Sequence, residues 1–381
     1  MRKLFIVSLL LFGLYELTTT WLVMPLPGSQ GLDSVETAWF LYHYRWFIRG
    51  AFVILLAISV RGAFAGGRKW QPVLTLVIAG LVIYASNFIL SAEALFQPPS
   101  TVRHSALDDA TLPDDAIVIA VQSGDEVKAY PVRYIAYHHQ VADHIGGKSV
   151  LVTYCSVCRS GRVYDAVAAD IPAQHLRLVG MTHFNAMFED PGGSWWMQAT
   201  GEAVAGPRKG DRLPEIPSFQ TSLGALKKLY PQALLMNPDQ ASADHYDNDG
   251  RFEKGQSKGD LTRADSASWN NKSWIVGIIV NGQAKAYDWK KLIHEKVIND
   301  TLAGIPVSVA ITADHSTFAA FRRADQSPME IRNDTLIYNG SLYLFSGSSV
   351  NGNVSPLEKV PSYQEHWHSW KKFHGENRYF P

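Results

Sequence analysis

"IVIAVQSGDEVKAYPVRYIAYHHQVADHIGGKSVLVTYCSVCRSGRVYD" (117–165) decides the fold because the chain contains a second version of it. "WIVGIIVNGQAKAYDWKKLIHEKVINDTLAGIPVSVAITADHSTFAAFR" (274–322) aligns with it without a gap, and Lys128 matches Lys285. Further on, "PSFQTSLGALKKLY" (217–230) resembles "PSYQEHWHSWKKFH" (361–374). We therefore predict two tandem related units, each of roughly 120 residues.

The local patterns within each unit are rich in β-strand signals. Residues 117–132 alternate around an Ser-Gly-Asp-Glu turn, which predicts a hairpin. Residues 132–145 have helical spacing, and "SVLVTY" (149–154) is typical of a buried strand. "SLGALKKLYP" (222–231) predicts a short helix that ends at its proline. The fold class that we expect is α+β with mostly antiparallel sheet.

The N-terminal part of the chain carries three apolar segments. They cover 4–24, 47–60 and 72–96, and the aromatic-rich stretch 38–46 extends the second. A spanning helix needs about 20 mostly apolar residues, so we predict a bundle of three transmembrane helices. We expect a transmembrane segment over 1–96 and a linker over 97–116. A first repeat unit with the cysteines covers 117–236, a connecting segment covers 237–273, and a second repeat unit without cysteines covers 274–381.

The basic residues around these segments predict the orientation of the chain. Arg2 and Lys3 precede the first segment, and Arg61, Arg68 and Lys69 lie between the second and the third. Basic loops stay in the cytoplasm, so three spans place everything after residue 96 on the other side. We expect a protein of the inner membrane with a periplasmic C-terminal part. Its formal net charge is +0, and no basic run indicates a nucleic-acid partner.

The only two cysteines, Cys155 and Cys158, stand in "TYCSVCRSG" (153–161). Such a pair can be a redox dithiol, half of a metal site or a small disulfide staple. In the second unit, Thr312 and His315 occupy the matching positions. A pair that the fold requires should recur in both units, so this difference speaks against a purely structural role. A four-residue loop also gains little chain entropy from a disulfide.

A metal site is the alternative for the cysteine pair. A structural zinc site needs four Cys or His ligands, and two cysteines supply only half of them. His183 lies beside Met181 and Met187, and thiolate and imidazole ligands also suit copper. Cys155, Cys158 and His183 are therefore the candidate ligands for copper or zinc, although no cofactor is certain.

The same residues resemble the bacterial and archaeal domain of unknown function 3179. The resemblance rests on Lys-Ala-Tyr-Pro (128–131), Thr-Tyr-Cys-x-x-Cys (153–158) and Ser-x-Trp-x-Gln (194–198), and it covers most of 117–236 and, more weakly, 274–380. The family usually has Pro-Leu between the cysteines, where this chain has Ser156 and Val157. Some relatives carry selenocysteine in this motif, which implies redox chemistry. The family has no established biochemical role.

Three functions follow as hypotheses. The first is a membrane-anchored extracytoplasmic thiol redox protein, in which Cys155 attacks, Cys158 resolves, and Arg159, His183 and Gln198 are candidate neighbours. Such a thiol-disulfide oxidoreductase would use a protein or small-molecule redox partner. The second is a copper- or zinc-binding module. The third is a non-catalytic interaction module with exposed aromatic residues such as Trp367 and Trp370.

Overall fold

The computed structural model describes residues 1–380 and has a mixed α+β fold with mostly antiparallel sheets. This confirms the predicted fold class. The helices are α1 Arg2–Val23, α2 Val35–His43, α3 Arg45–Phe64, α4 Trp70–Tyr84, α5 Ala92–Leu95, α6 Val132–His138, α7 Leu223–Leu229, α8 Trp289–Glu295 and α9 Trp367–His374. A π-helical turn, Ala85–Ile89, continues α4.

The strands are short, and nearly all of their pairings are antiparallel. They are β1 His104–Ala106, β2 Ile117–Ser123, β3 Glu126–Pro131, β4 Gln140–Ile145, β5 Lys148–Cys155, β6 Ser160–Tyr164, β7 Arg177–Thr182, β8 Asn185–Glu189, β9 Trp195–Met197, β10 Ala203–Ala205, β11 Ser218–Ser222, β12 Leu234–Met236, β13 Trp274–Val280, β14 Gln283–Asp288, β15 Val297–Leu302, β16 Ile305–Ile311, β17 Phe318–Arg322, β18 Glu330–Arg332, β19 Thr335–Tyr338, β20 Ser341–Tyr343, β21 Glu358–Val360 and β22 Ser362–His366.

The chain divides into two compact units, and the division does not follow the repeats. One unit comprises Met1–Gln97 and His175–Arg212, and the other comprises Pro98–Gln174 and Leu213–Pro381. Residues 175–212 thus interrupt the predicted first repeat. The segment predicted as a linker contributes β1, which pairs with β12. The predicted domain boundaries themselves stay a prediction.

In the unit formed by Met1–Gln97 and His175–Arg212, three helices are long and apolar enough to cross a membrane. They cover Arg2–Val23, Arg45–Phe64 and Trp70–Ile89. The aromatic stretch before the second span does not simply lengthen it, because α2 ends at His43 and α3 begins at Arg45. Strands β7 to β10 form a four-stranded sheet in the same unit.

The other unit holds both copies of the quoted sequence pattern. Strands and helix follow in the order β2-β3-α6-β4-β5-β6 in the first copy and β13-β14-α8-β15-β16-β17 in the second. The hydroxyl of Tyr130 donates to Asp143 at 2.7 Å, and that of Tyr287 donates to Asp300 at 3.0 Å. These matching bonds support the interpretation of an internal duplication.

The predicted helix over 132–145 is only half correct. Helix α6 ends at His138, and His139 adopts a left-handed conformation with φ 62°. A left-handed residue commonly ends a helix, because it turns the chain away from the helix axis. Residues 140–145 then pair with β5 as β4, and Val141 and Ile145 enter the core.

Candidate functional site

The cysteine pair lies in the turn between two buried strands. Strand β5, which includes the predicted strand 149–154, ends at Cys155, and β6 begins at Ser160. The two cysteines form a disulfide with their Cα atoms 5.5 Å apart. Both are fully buried, and the hydroxyl of Ser160 lies 3.2 Å from the Cys158 sulfur.

Arg159 leaves this turn in a left-handed conformation, with φ 55°. Its guanidinium donates to the Gln364 side chain at 2.9 Å and to the carbonyls of Phe252 and Glu253 at 2.8 and 2.7 Å. The group also lies 3.7 Å from the ring centroid of Trp274, which is a cation–π contact. Arg159 is therefore a buried cation that ties the turn to distant segments. Its role as a candidate neighbour of the reactive cysteine stays a prediction.

A second cation contacts the turn between the cysteines. The ammonium group of Lys272 donates to the carbonyl of Val157 at 2.6 Å and to that of Leu261 at 2.5 Å. Burial lowers the pKa of Lys272 to about 8, although the negative charge of Asp265 acts in the opposite direction. At neutral pH this lysine is still mostly protonated, so it places a positive charge beside the disulfide loop.

His366 is the third group of the site, and it comes from strand β22. Its backbone N–H donates to the carbonyl of Cys158 at 2.9 Å, and its Nδ1 lies 2.9 Å from the carbonyl of Lys272. A carbonyl can only accept, so Nδ1 carries the proton and Nε2 has a free lone pair. Burial, together with the charges of Lys272 and Arg159, holds the pKa of His366 well below its usual value. Nε2 is buried and has no hydrogen-bond partner among the described residues.

Strand β22 packs against the cysteine hairpin through a second buried pair. The Arg162 guanidinium contacts the Glu365 carboxylate, and both side chains are almost completely buried. The guanidinium also lies 3.5 Å from the ring centroid of Tyr363. Three consecutive residues of β22, from Gln364 to His366, thus contact the segment from Cys158 to Arg162.

The corresponding turn between β16 and β17 is closed without sulfur. Thr317 N–H donates to the Thr312 hydroxyl at 3.1 Å, and the Ser316 hydroxyl donates to Asp314 at 2.6 Å. Burial acts against ionisation of Asp314, but hydrogen bonds from Ser316 and Thr312 lower its pKa overall. A turn at this position can therefore be held by side-chain hydrogen bonds alone.

Two residues that the sequence suggested as neighbours of the pair belong to the other compact unit. The Nε2 atom of His183 lies 2.8 Å from the carboxylate of Asp33. Gln198 is fully buried, and its backbone N–H donates to the carbonyl of Ala186 at 2.9 Å. Within residues 1–380, no group of three or more His, Cys, Asp or Glu side chains is arranged to hold a metal ion. The copper or zinc interpretation gains no support from this arrangement.

Sequence reasoning missed Lys272 and His366. Lys272 lies 115 residues after the carbonyl that it contacts, in a polar segment without regular spacing. His366 is the last residue of β22, and the matching position in the first copy of the sequence pattern holds Ser222. The repeat alignment indicated only that 217–230 and 361–374 are equivalent, and it did not place either segment beside the cysteines.

The chain matches one family model over residues 96–377, which is described as a protein of unknown function, DUF3179. No curated protein and no solved structure matches the chain. The matched range includes both segments that align with each other, 117–165 and 274–322, and the residues of the cysteine site. The chain therefore belongs to the DUF3179 family of proteins of unknown function.

Proposed function

We propose that this protein is a membrane-anchored thiol redox protein that acts outside the cytoplasm through Cys155 and Cys158. The observation that carries the proposal is the contact of the Lys272 ammonium with the carbonyl of Val157, between the two cysteines. A nearby cation stabilises a thiolate, which is the reactive form of cysteine. Arg159, which directly follows Cys158, adds a second buried positive charge near the pair.

The reaction is a two-electron exchange. In the reduced protein, the Cys155 thiolate attacks a substrate disulfide and forms a mixed disulfide, while one substrate sulfur leaves as a thiolate. Cys158 loses its proton and attacks Cys155, which forms the internal disulfide and releases the second substrate sulfur. The protein pair is oxidised, the substrate disulfide is reduced, and the reverse sequence oxidises a substrate dithiol.

Burial restricts which partners can reach the pair. Both cysteines are fully buried, and Ser156 is the only residue of 153–160 with more than slight exposure. Exchange therefore requires a small thiol or an opening of the turn at Ser156 and Val157. Local opening of one turn costs less free energy than global unfolding.

The absence of cysteines from the turn between β16 and β17 supports a chemical role. That turn is closed by Thr312, Asp314 and Thr317, so the fold has a sulfur-free solution for the same connection. The interaction-module hypothesis loses its stated basis, because Trp367 and Trp370 are fully buried and contribute to the core.

The decisive experiment is a redox titration of the purified full chain in glutathione buffers, with alkylation to count free thiols. A midpoint well above about −300 mV is expected, since structural disulfides lie below that value. The variant Cys158→Ser should accumulate a mixed disulfide with glutathione at Cys155. Cys155→Ser, the matched control, should accumulate far less.

Two outcomes would contradict the proposal. One is a disulfide that stays oxidised down to the reducing limit of the buffers. The other is equal trapping of glutathione by both single variants, because the two cysteines would then have no distinct roles.

A further inference from the structure

A polar cavity lies among the membrane helices. It is close to the C-terminal end of α1, the π-helical turn after α4 and the N-terminal end of α3. Its volume is about 110 Å³, and its lining includes Glu16, Thr20, Arg45, Arg49, Ser86 and Arg177. One water needs roughly 10–15 Å³ measured in this way, so the space holds several waters or one compact polar group. Ionisable residues within membrane helices are usually functional.

We propose that this cavity binds a phosphate-type anion, with the phosphodiester of a membrane lipid and free inorganic phosphate as its two sources. The location at one end of all three spans places the cavity at the level where lipid headgroups lie. Basic pockets between membrane helices are suited to such headgroups. This site is separate from the cysteine chemistry and does not depend on it.

The first carboxylate of the cavity is already neutralised. Glu16 is almost completely buried and accepts two hydrogen bonds from Arg49, at 2.7 and 2.8 Å. Asn87 donates to the same carboxylate at 2.8 Å and accepts from Arg49 at 2.7 Å. The triad links all three spans, and because it is electrically balanced it does not attract or repel an anion strongly.

The second carboxylate is also paired. Glu93 lies 2.9 Å from Arg177, and Arg177 also contacts Glu189 and the Tyr42 hydroxyl. These pairs leave Arg45 as the cation of the cavity that has no carboxylate within ion-pair distance in residues 1–380. Its one hydrogen bond to the protein goes to the carbonyl of Tyr42 at 2.8 Å, and its guanidinium lies 3.9 Å from the centroid of the Tyr42 ring. Most of its donors remain for a ligand.

An unsatisfied hydroxyl gives the second, independent indication of a ligand. Ser86 is only 4% exposed, and its Oγ is buried without a hydrogen-bond partner among the described residues. The residue belongs to the π-helical turn Ala85–Ile89, a widening of the helix that often occurs at functional sites. A buried hydroxyl without a partner is costly, so an acceptor in the cavity would satisfy it. Arg45 and Ser86 together offer donors, and phosphate oxygens are strong acceptors.

The test uses the full chain in detergent, with binding measured for three soluble probes. These are dioctanoyl phosphatidylglycerol, dioctanoylglycerol, which lacks the phosphate, and inorganic phosphate. Phosphatidylglycerol is expected to bind and dioctanoylglycerol is not. Arg45→Gln should weaken phosphatidylglycerol binding at least tenfold, and Ser86→Ala should weaken it about threefold. Arg61→Gln, which removes an exposed arginine at the other end of α3, should change it less than twofold.

Each outcome decides the matter. If millimolar inorganic phosphate displaces phosphatidylglycerol, and if phosphate itself binds in a way that depends on Arg45, the site is one for free phosphate. Failure of phosphate to compete would assign it to the lipid. Equal effects of Arg45→Gln and Arg61→Gln, or equal binding of dioctanoylglycerol, would overturn the proposal, and the cavity would then hold water only. Cys155→Ser should leave all three affinities unchanged, which separates this test from that of the redox function.

Discussion

Lys272 holds its ammonium group against the carbonyl of Val157, between the two cysteines. We expect Lys272→Met to raise the thiol pKa of the reactive cysteine by about one unit, which lowers its thiolate fraction about tenfold near neutral pH. The measurement is the alkylation rate of the reduced protein by iodoacetamide between pH 5 and 9. The difference from the wild type should vanish above about pH 8, because Lys272 itself loses its proton there.

Lys371→Met is the matched control for this charge. Lys371 donates to the side chain of Asn271 at 3.1 Å, at the protein surface. It makes no contact with the turn of the cysteines, so its loss should leave the alkylation profile unchanged. Equal profiles for the wild type and Lys272→Met would remove the main support for the redox proposal.

His366 should make the fold sensitive to acid. Its ring takes up a proton near pH 6.5 in the unfolded chain but only at much lower pH in the folded protein. Between these values the unfolded state binds more protons, so the free energy of unfolding falls as the pH falls below 6.5. His366→Asn keeps a donor for the Lys272 carbonyl and should reduce this slope by up to about 1.4 kcal/mol per pH unit.

Thermal unfolding of the full chain between pH 7 and 4 measures that slope. His144→Asn, at an exposed position of β4, is the control and should follow the wild type. An equal dependence of the unfolding temperature on pH in both variants would show that the acid sensitivity arises elsewhere. One such place is His139, where burial lowers the pKa to about 4.

The residues of the site were only partly predictable. The cysteine pair, the strand before it and Arg159 are contiguous in sequence, so local pattern was sufficient. Lys272 and His366 approach the pair through long-range hydrogen bonds to backbone carbonyls, and no residue type or spacing marks such contacts in advance. Pairing of His183 with Asp33 depends on how 175–212 clusters with the N-terminal helices, which the repeat alignment did not indicate.

At the scale of elements, the β5–β6 turn should survive loss of its disulfide. The chain-entropy model gives a four-residue loop a stabilisation of about 2 kcal/mol. We expect Cys155→Ala/Cys158→Ala to retain the fold, with a loss of unfolding free energy of no more than this amount. Circular dichroism and thermal unfolding of the full chain, each with and without reductant, measure the effect. An unfolded double variant would identify the pair as a structural staple.

Element boundaries show where pattern reasoning fails. The pattern over 132–145 has helical spacing, but its second half also alternates, with Val141 and Ile145 inward as β4. The choice is made by pairing with β5, a tertiary interaction, and by the left-handed residue His139. Hairpin β2–β3 and helix α7 were predicted correctly because their turns and ends are encoded locally.

For the whole molecule, a hydrogen bond joins the two strands that the sequence alignment matches, β11 and β22. Gln220 and Gln364 occupy matching positions of β11 and β22, and the amide of Gln220 donates to the Gln364 carbonyl at 3.1 Å. Arg159 donates to the same oxygen. Gln364→Leu leaves both donors buried without a partner, so we expect a loss of about 1–3 kcal/mol of unfolding free energy. Gln283→Leu, at the exposed first residue of β14, is the control, and an equal effect in thermal unfolding would contradict this account.

The orientation of the chain in the membrane depends on which arginines are neutralised and which are free. Arg45 and Arg49 lie at the end of α3 that is expected outside, where they oppose the positive-inside rule. Arg49 is neutralised by Glu16, which removes half of this conflict, and Arg45 can bind a headgroup anion. Basic residues at the other ends of the spans, Arg2 and Arg61 among them, should therefore decide the topology. Alkaline phosphatase fused after the C-terminus should be active and green fluorescent protein at the same position dark, whereas the reverse pattern would place the cysteine pair in the cytoplasm and contradict the prediction.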